Sequence, residues 1–166
     1  MTATAASLVE WPHTVAIRSG KEPIMTLSIT PHLNFDGAAR EALDFYQAVF
    51  GGEITVLTYA TMGVPHEPEQ AERLVWGQVE ARNGFRIMAF DVYPGQPYDR
   101  GQNPFYVSVR GGDAADVAPV WEGLSAGAEV RQDLAPTSWS PLYGMLTDRF
   151  GVTWVVDVAS RTSAEN

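Results

Sequence analysis

Apolar and polar positions along this chain change period in a fixed order. "LSITPHLNF" alternates with the period of two of a strand, and "EITVLTYA" is rich in β-branched residues. Between them, Ala39, Ala42, Leu43, Tyr46, Val49 and Phe50 fall at helical spacing, with Arg40, Glu41, Asp44 and Gln47 covering the rest. Asp36 is expected to cap this helix. Gly51-Gly52 is expected to end it, because glycine adopts the left-handed conformation cheaply. "RLVWGQVEA" and "FRIMAFDV" then read as two strands joined at Asn83-Gly84, the strongest short hairpin signal. The first half is β-α-β-β-β.

The second half repeats that order. "NPFYVSVR" reads as a strand, and "DAADVAPVWEGLSAG" as a helix with Val117, Val120, Trp121 and Leu124 on one face. Pro119 fits near the first turn of a helix, so Asp116 is the expected cap and Asp113 opens a preceding turn. "AEVRQDLAPTSW", "LYGMLTDRF" and "VTWVVDVA" are three further strands. Leu33 to Val109 and Glu53 to Glu129 are both 76 positions apart, and Gly84 to Gly151 is 67. The loop "TMGVPHEPEQAE" accounts for the difference. Two copies of one unit imply internal pseudo-symmetry. Each sheet backed by its helix leaves a concave cup, with the helix outside and the binding face opposite. The expected class is α+β, two βαβββ modules forming a curved-sheet cup. Module 1 spans 27–92 and module 2 spans 103–158, within one domain over 25–160. Residues 1–24 lack periodicity and are expected to be an irregular extension, with 161–166 a tail.

Composition narrows the function classes. Net charge is −9, which repels nucleic acid and anionic membrane. The chain has no cysteine, so it has no thiolate nucleophile, disulfide or zinc–thiolate site, and it fits a reducing cytoplasm. No apolar run approaches the roughly 20 residues of a membrane span. No G-x-S-x-G elbow is present, "RGGDAAD" has no following Gly-Lys-Ser, and His13 and His66 fall in expected loops.

"PHLNFDGAAREALDFYQAVFGGEI", "NGFRIMAFD" and "SWSPLYGMLTDRFGVTWVVDV" resemble the vicinal oxygen chelate superfamily of glyoxalases, bleomycin-resistance proteins and extradiol dioxygenases. They are most similar to its PhnB-like branch, often labelled 3-demethylubiquinone-9 3-methyltransferase. The resemblance runs from about Leu27 to Ala159. It implies a divalent metal on the cup floor, held by His or Glu from four strands. Those positions fall at Thr30, at Gly77 or (with a bulge) Gln78, at Tyr106 and at Val155, none a good ligand. His32 and Asp157 lie two residues away on the same strand faces, as a conceivable shifted pair.

The cup is therefore expected to be metal-free and without cofactor. Its expected ligand-binding residues are His32, Asn34, Gln78, Tyr106, Ser108, Trp139 and Tyr143, with Trp76, Trp154 and Asp157 as weaker candidates. The expected function is binding of a small, partly apolar molecule, in a homodimer. The alternative is an enzyme of the superfamily, glyoxalase- or dioxygenase-like, or a methyltransferase as its relatives are labelled. A methyl-donor site would have to be unconventional, since no doubly wound nucleotide-binding sheet is present.

Overall fold

A computed structural model of the chain describes residues 29–101 and 105–159. The expected extension over residues 1–24 and the tail over 161–166 lie outside them. The described residues form two four-stranded mixed sheets with three helices. Module 1 runs β1 (His32–Phe35), α1 (Ala39–Phe50), β2 (Glu53–Thr58), α2 (Tyr59–Met62), β3 (Leu74–Glu80) and β4 (Arg86–Asp91). Module 2 runs β5 (Val107–Gly111), α3 (Ala114–Leu124), β6 (Glu129–Ala135), β7 (Tyr143–Thr147) and β8 (Thr153–Val158). The sheet orders are β1-β4-β3-β2 and β5-β8-β7-β6, the same topology twice.

Both helix starts differ from expectation. α1 follows Ala38 with no side-chain cap of its own. Asp91, at the end of β4, supplies the acceptor instead, taking bonds from the Gly37 and Ala39 N–H groups at 2.6 and 3.1 Å and from the Leu74 N–H at 2.9 Å. Asp36 is left to pair with Arg73. In module 2 Asp113, not Asp116, is the cap. Its carboxylate accepts from the Ala115 and Asp116 N–H groups at 2.8 and 3.1 Å, and Asp116 accepts in return from the Asp113 N–H at 3.2 Å. This reciprocal box starts the helix a turn earlier, so Pro119 lies inside it.

Each helix closes on its sheet over a glycine. A β-carbon on Gly77 of β3 would overlap the Leu43 side chain of α1. A β-carbon on Gly144 of β7 would lie 2.7 Å from the Trp121 ring of α3. The two glycines are 67 positions apart, the offset already seen for Gly84 and Gly151. The repeat thus conserves a close approach between helix and strand.

α1 is not an outer cover. It lies within a core shared by both modules, where Tyr46 and Trp154 are fully buried with ring centroids 5.4 Å apart. Asp148, 4% exposed, bonds across the junction. One of its oxygens accepts from the Tyr46 hydroxyl and the Trp154 indole N–H, both at 2.8 Å. The other accepts from the Phe150 and Val152 N–H groups, both at 2.9 Å.

The face of each sheet away from the helices is the more open one. Gln78 pairs with Met88, and Met88 with His32, so these three share that face in module 1. Trp76 falls on the same face as Gln78, and Gly77 faces α1. In module 2, Ser108 pairs with Val155 and Tyr143 with Asp157 on the corresponding face. Trp154 points the other way, into the core.

Candidate functional site

β1 is an edge strand, and its position leaves a cleft beside it. The backbone groups turned toward β4 include the carbonyls of Pro31 and Phe35, which accept from Met88 and Val92 at 2.9 and 2.8 Å. The Asn34 carbonyl points off the open edge, where the Tyr98 hydroxyl donates to it at 3.0 Å. Along this edge runs an open cleft of about 620 Å³. His32 and Asn34 form one wall, and Glu129, Arg131, Thr147 and Thr153 of module 2 form the other. Phe105, Phe150 and Val152 also line it, Leu33 and Phe35 border it with their side chains buried in the core, and Pro97 to Gly101 lie along one side.

The polar groups differ between the walls. The His32 ring lies edge-on to Phe90 at 5.3 Å, and neither it nor the Asn34 amide has a hydrogen bond among the described residues. Partial burial lowers the His32 pKa, so the ring is neutral at physiological pH and presents one donor and one acceptor. The Thr147 and Thr153 hydroxyls meet at 3.2 Å on the opposite wall. Burial also raises the Tyr98 pKa, with Asp36 and Asp91 adding to the shift and Arg100 opposing it. Its hydroxyl therefore stays protonated and remains a donor.

Of the seven residues expected to bind ligand, the structure brings His32 and Asn34 into the cleft. Gln78 lies further into the open face of module 1, with its amide bonded to Glu80 at 3.0 Å. Ser108 and Tyr143 lie on the open face of module 2, and Tyr106 stands just ahead of β5. Trp139 stands in the loop before β7, 61% exposed and edge-on to Tyr143 at 5.8 Å. Trp154 is core. Sequence reasoning missed Tyr98, Arg100, Glu129, Thr147 and Thr153. The two linker residues sit in "YPGQPYDRGQNP", whose visible signal is turn chemistry alone.

The residues do not fit the metal that the fold implies. Gln78 and Val155 occupy the open faces where ligands would stand, and neither is a competent donor. The shifted pair His32 and Asp157 does not form either. Arg110 takes the Asp157 carboxylate in a forked ion pair, with its Nε at 3.0 Å from one oxygen and its Nη2 at 2.6 Å from the other. Among the described residues, no group of three or more His, Asp and Glu side chains is placed to hold a metal ion. His66, in its loop, has its Nδ1 against the Val64 carbonyl. His13 lies outside the described residues. Among the described residues, no helix is long and apolar enough to cross a membrane.

Comparison with known proteins agrees with the architecture. The profile of the Glyoxalase/Bleomycin resistance protein/Dioxygenase superfamily matches residues 31–156. Protein YjdN of Escherichia coli is 22% identical over 144 residues, covering 81% of this chain and 97% of its own. Protein PA1353 of Pseudomonas aeruginosa is 30% identical, with a TM-score of 0.70 over 81% of this chain and 98% of its own. A structure from Bacillus cereus described as a putative 3-demethylubiquinone-9 3-methyltransferase, PhnB protein, is 20% identical, with a TM-score of 0.63 over 80% of this chain and all of its own. Two βαβββ modules, their shared core and the match over nearly all the described residues place this chain in the Glyoxalase/Bleomycin resistance protein/Dioxygenase superfamily.

Proposed function

We propose that this protein binds a small, partly apolar molecule in the cleft between its modules, without the divalent metal of its superfamily. The observation that carries the reading is the donor set. Thr30, Gln78, Tyr106 and Val155 stand at the expected metal positions, and the nearby Asp157 is already closed by Arg110. What the cleft offers instead is a mixed lining, with Phe105, Phe150 and Val152 beside the charged Asp99, Arg100, Glu129 and Arg131. His32 and Asn34 are its anchors on one wall, and Thr147 and Thr153 face them.

The second part of the proposal is a homodimer. Tyr106 and Trp139 are large apolar side chains left exposed on module 2. A second subunit covering them would also enclose Ser108, Tyr143 and Gln78 on the open sheet faces. Trp139→Ala or Tyr143→Ala then weakens the dimer, because each removes a large apolar side chain from the surface the second subunit would cover. His32→Ala alters selectivity more than affinity, because it removes an anchor rather than area. The competing reading is an enzyme, as the Bacillus cereus relative is described as a methyltransferase.

Native mass spectrometry of the purified protein, paired with elemental analysis, separates the two. The binding reading expects a dimer, no stoichiometric metal, and ligand binding indifferent to chelator. Binding or turnover that chelator abolishes and zinc, nickel or iron restores would overturn it.

A further inference from the structure

The Asn83-Gly84 pair turns the β3–β4 hairpin, and the same geometry makes it reactive. The Ala81 N–H donates to the Phe85 carbonyl at 2.9 Å, and the Gly84 N–H to the Ala81 carbonyl at 3.1 Å. The Asn83 side chain folds forward along the chain, because its Oδ1 accepts from the Phe85 N–H at 3.0 Å. That bond draws electron density from the carboxamide carbon and keeps it on the side where the following amides lie. Closing that carbon onto the next backbone nitrogen makes a five-membered ring. The nitrogen belongs to Gly84, which sits at φ +90° with nothing within 4 Å of where a β-carbon would be. Arg82, Asn83 and Gly84 are all exposed to water.

The turn can open without the hairpin coming apart. Phe85 stacks on Phe50 with ring centroids 3.8 Å apart, and β3 and β4 stay paired through Glu80 and Arg86. Only the exposed bond from Gly84 to Ala81 must break to free the nitrogen, which is a local event. Other asparagines lack this setting. Asn34 is held in β1 opposite Phe90, and the residue after it, Phe35, is buried. Asn103 precedes Pro104, which has no N–H.

We propose that Asn83 is a site of spontaneous chemical modification in the folded protein, losing its amide nitrogen to attack by Gly84. The Gly84 nitrogen forms a bond to the Asn83 Cγ. The bond from Cγ to Nδ2 breaks, and Nδ2 leaves as ammonia with the proton that Gly84 gives up. Water then adds to one of the two carbonyls of the cyclic imide and reopens it, leaving aspartate or isoaspartate at this position. One water is consumed and one ammonia released, and nothing is oxidised or reduced. Either product adds a carboxylate to a surface hollow that Glu53 and Glu80, cross-strand neighbours, already line. The proposal is independent of the ligand reading of the cleft.

The test incubates the purified protein at mildly alkaline pH, where a backbone nitrogen is more readily deprotonated, and digests it at acidic pH for peptide mass spectrometry. The peptide holding Asn83 should gain one mass unit and separate into aspartate and isoaspartate forms, while the peptide holding Asn34 keeps its mass. Asn83→Gln, whose longer side chain would need a six-membered ring, should lose the shift. The rate should stay flat on adding urea below the unfolding transition, because a local opening exposes little surface. A rate that climbs with urea in step with the unfolded fraction would assign the reaction to the unfolded chain and overturn the proposal. An unchanged mass at Asn83 in the native protein, or equal conversion at Asn34, would overturn it too.

Discussion

Replacing Asp148 with alanine should destabilise the protein by about 3–5 kcal/mol, the range for removing one partner from a buried charged network. The carboxylate accepts four hydrogen bonds, two of them from the buried Tyr46 hydroxyl and Trp154 indole. The Phe150 and Val152 N–H groups sit near the turn and can find water. The other two donors cannot, because both side chains are fully buried between the modules. Each orphaned buried donor costs roughly 1–3 kcal/mol, and this pair supplies most of the loss. Tyr46→Phe removes one donor and leaves the carboxylate three others, so it should cost only about 1–2 kcal/mol. The double variant has no Tyr46 donor left to orphan. Its loss should fall short of the sum of the single losses by about 1–2 kcal/mol, as expected for contacting partners. Urea unfolding of the four proteins measures all of this, provided the transition is two-state. A loss below about 1 kcal/mol for Asp148→Ala, or strict additivity in the cycle, would show that the bond network does not hold the modules together.

Alkaline pH offers a view of the same network, because burial first, and then the charge and hydrogen bond of Asp148, hold the Tyr46 pKa well above the ordinary tyrosine value. The folded pKa is raised, so its contribution is complete below about pH 10 and is lost as pH rises further, a loss that Tyr46→Phe should abolish in pH-dependent melts. Gly77→Ala and Gly144→Ala should each lower stability by about 1–3 kcal/mol by overpacking, and calorimetry should show comparable effects in the two modules. Asp113→Ala removes the cap of α3 and should cost about 0.5–2 kcal/mol, whereas Asp36→Ala, which caps nothing, should cost less in the same melts. The His32 ring should titrate below the ordinary histidine range in a proton NMR titration, because partial burial disfavours its charged form. Its small contribution is present above about pH 6.5 and is lost as pH falls through the folded pKa, so a raised midpoint would count against a crowded neutral anchor.

Much of the fold was legible because the signals were periodic. The α1 stripe, the Gly51-Gly52 stop and the paired offsets all depend on local spacing, and spacing survives folding unchanged. The helix starts were less legible. Asp36 and Asp116 were plausible caps by position, but Asp91 reaches α1 from a strand 52 residues later than Ala39, and no local rule can anticipate that. The role of α1 was misjudged for a similar reason. A helical stripe shows that one face is buried but not whether a second module packs on it, and Tyr46 meets Asp148 at a separation of 102 residues. His32 and Asn34 line the cleft on the shared sheet face that period-two alternation predicts for them. Asp157 showed the limit of that logic, since sharing a strand face did not reveal that Arg110, its partner on the adjacent strand, would take its carboxylate.

The repeat also explains why the cleft could not be read from the repeat alone. Both sheets end in a strand paired in parallel on one side only, β1 in module 1 and β5 in module 2. Each leaves an edge where backbone groups seek partners. The chain crosses from module 1 to module 2 only once, directly after β4, the neighbour of β1. That connection brings Tyr98 to the Asn34 carbonyl and Arg100 to the turn of the other module. The bond that ends β4, Val92 N–H to the Phe35 carbonyl at 2.8 Å, has its counterpart after β8 in Ala159 N–H to the Gly111 carbonyl at 2.9 Å, where the described residues end. Among the described residues, the β1 edge is the one along which a connector runs. The asymmetry of the site comes from the connector, the part of the sequence that carries no periodic signal and has no copy to be compared with. The connector is held by two exposed bonds to backbone carbonyls, whereas Asp91 and Asp148 hold buried donors, so substitutions at Tyr98 or Arg100 should cost less stability than substitutions at Asp91 or Asp148.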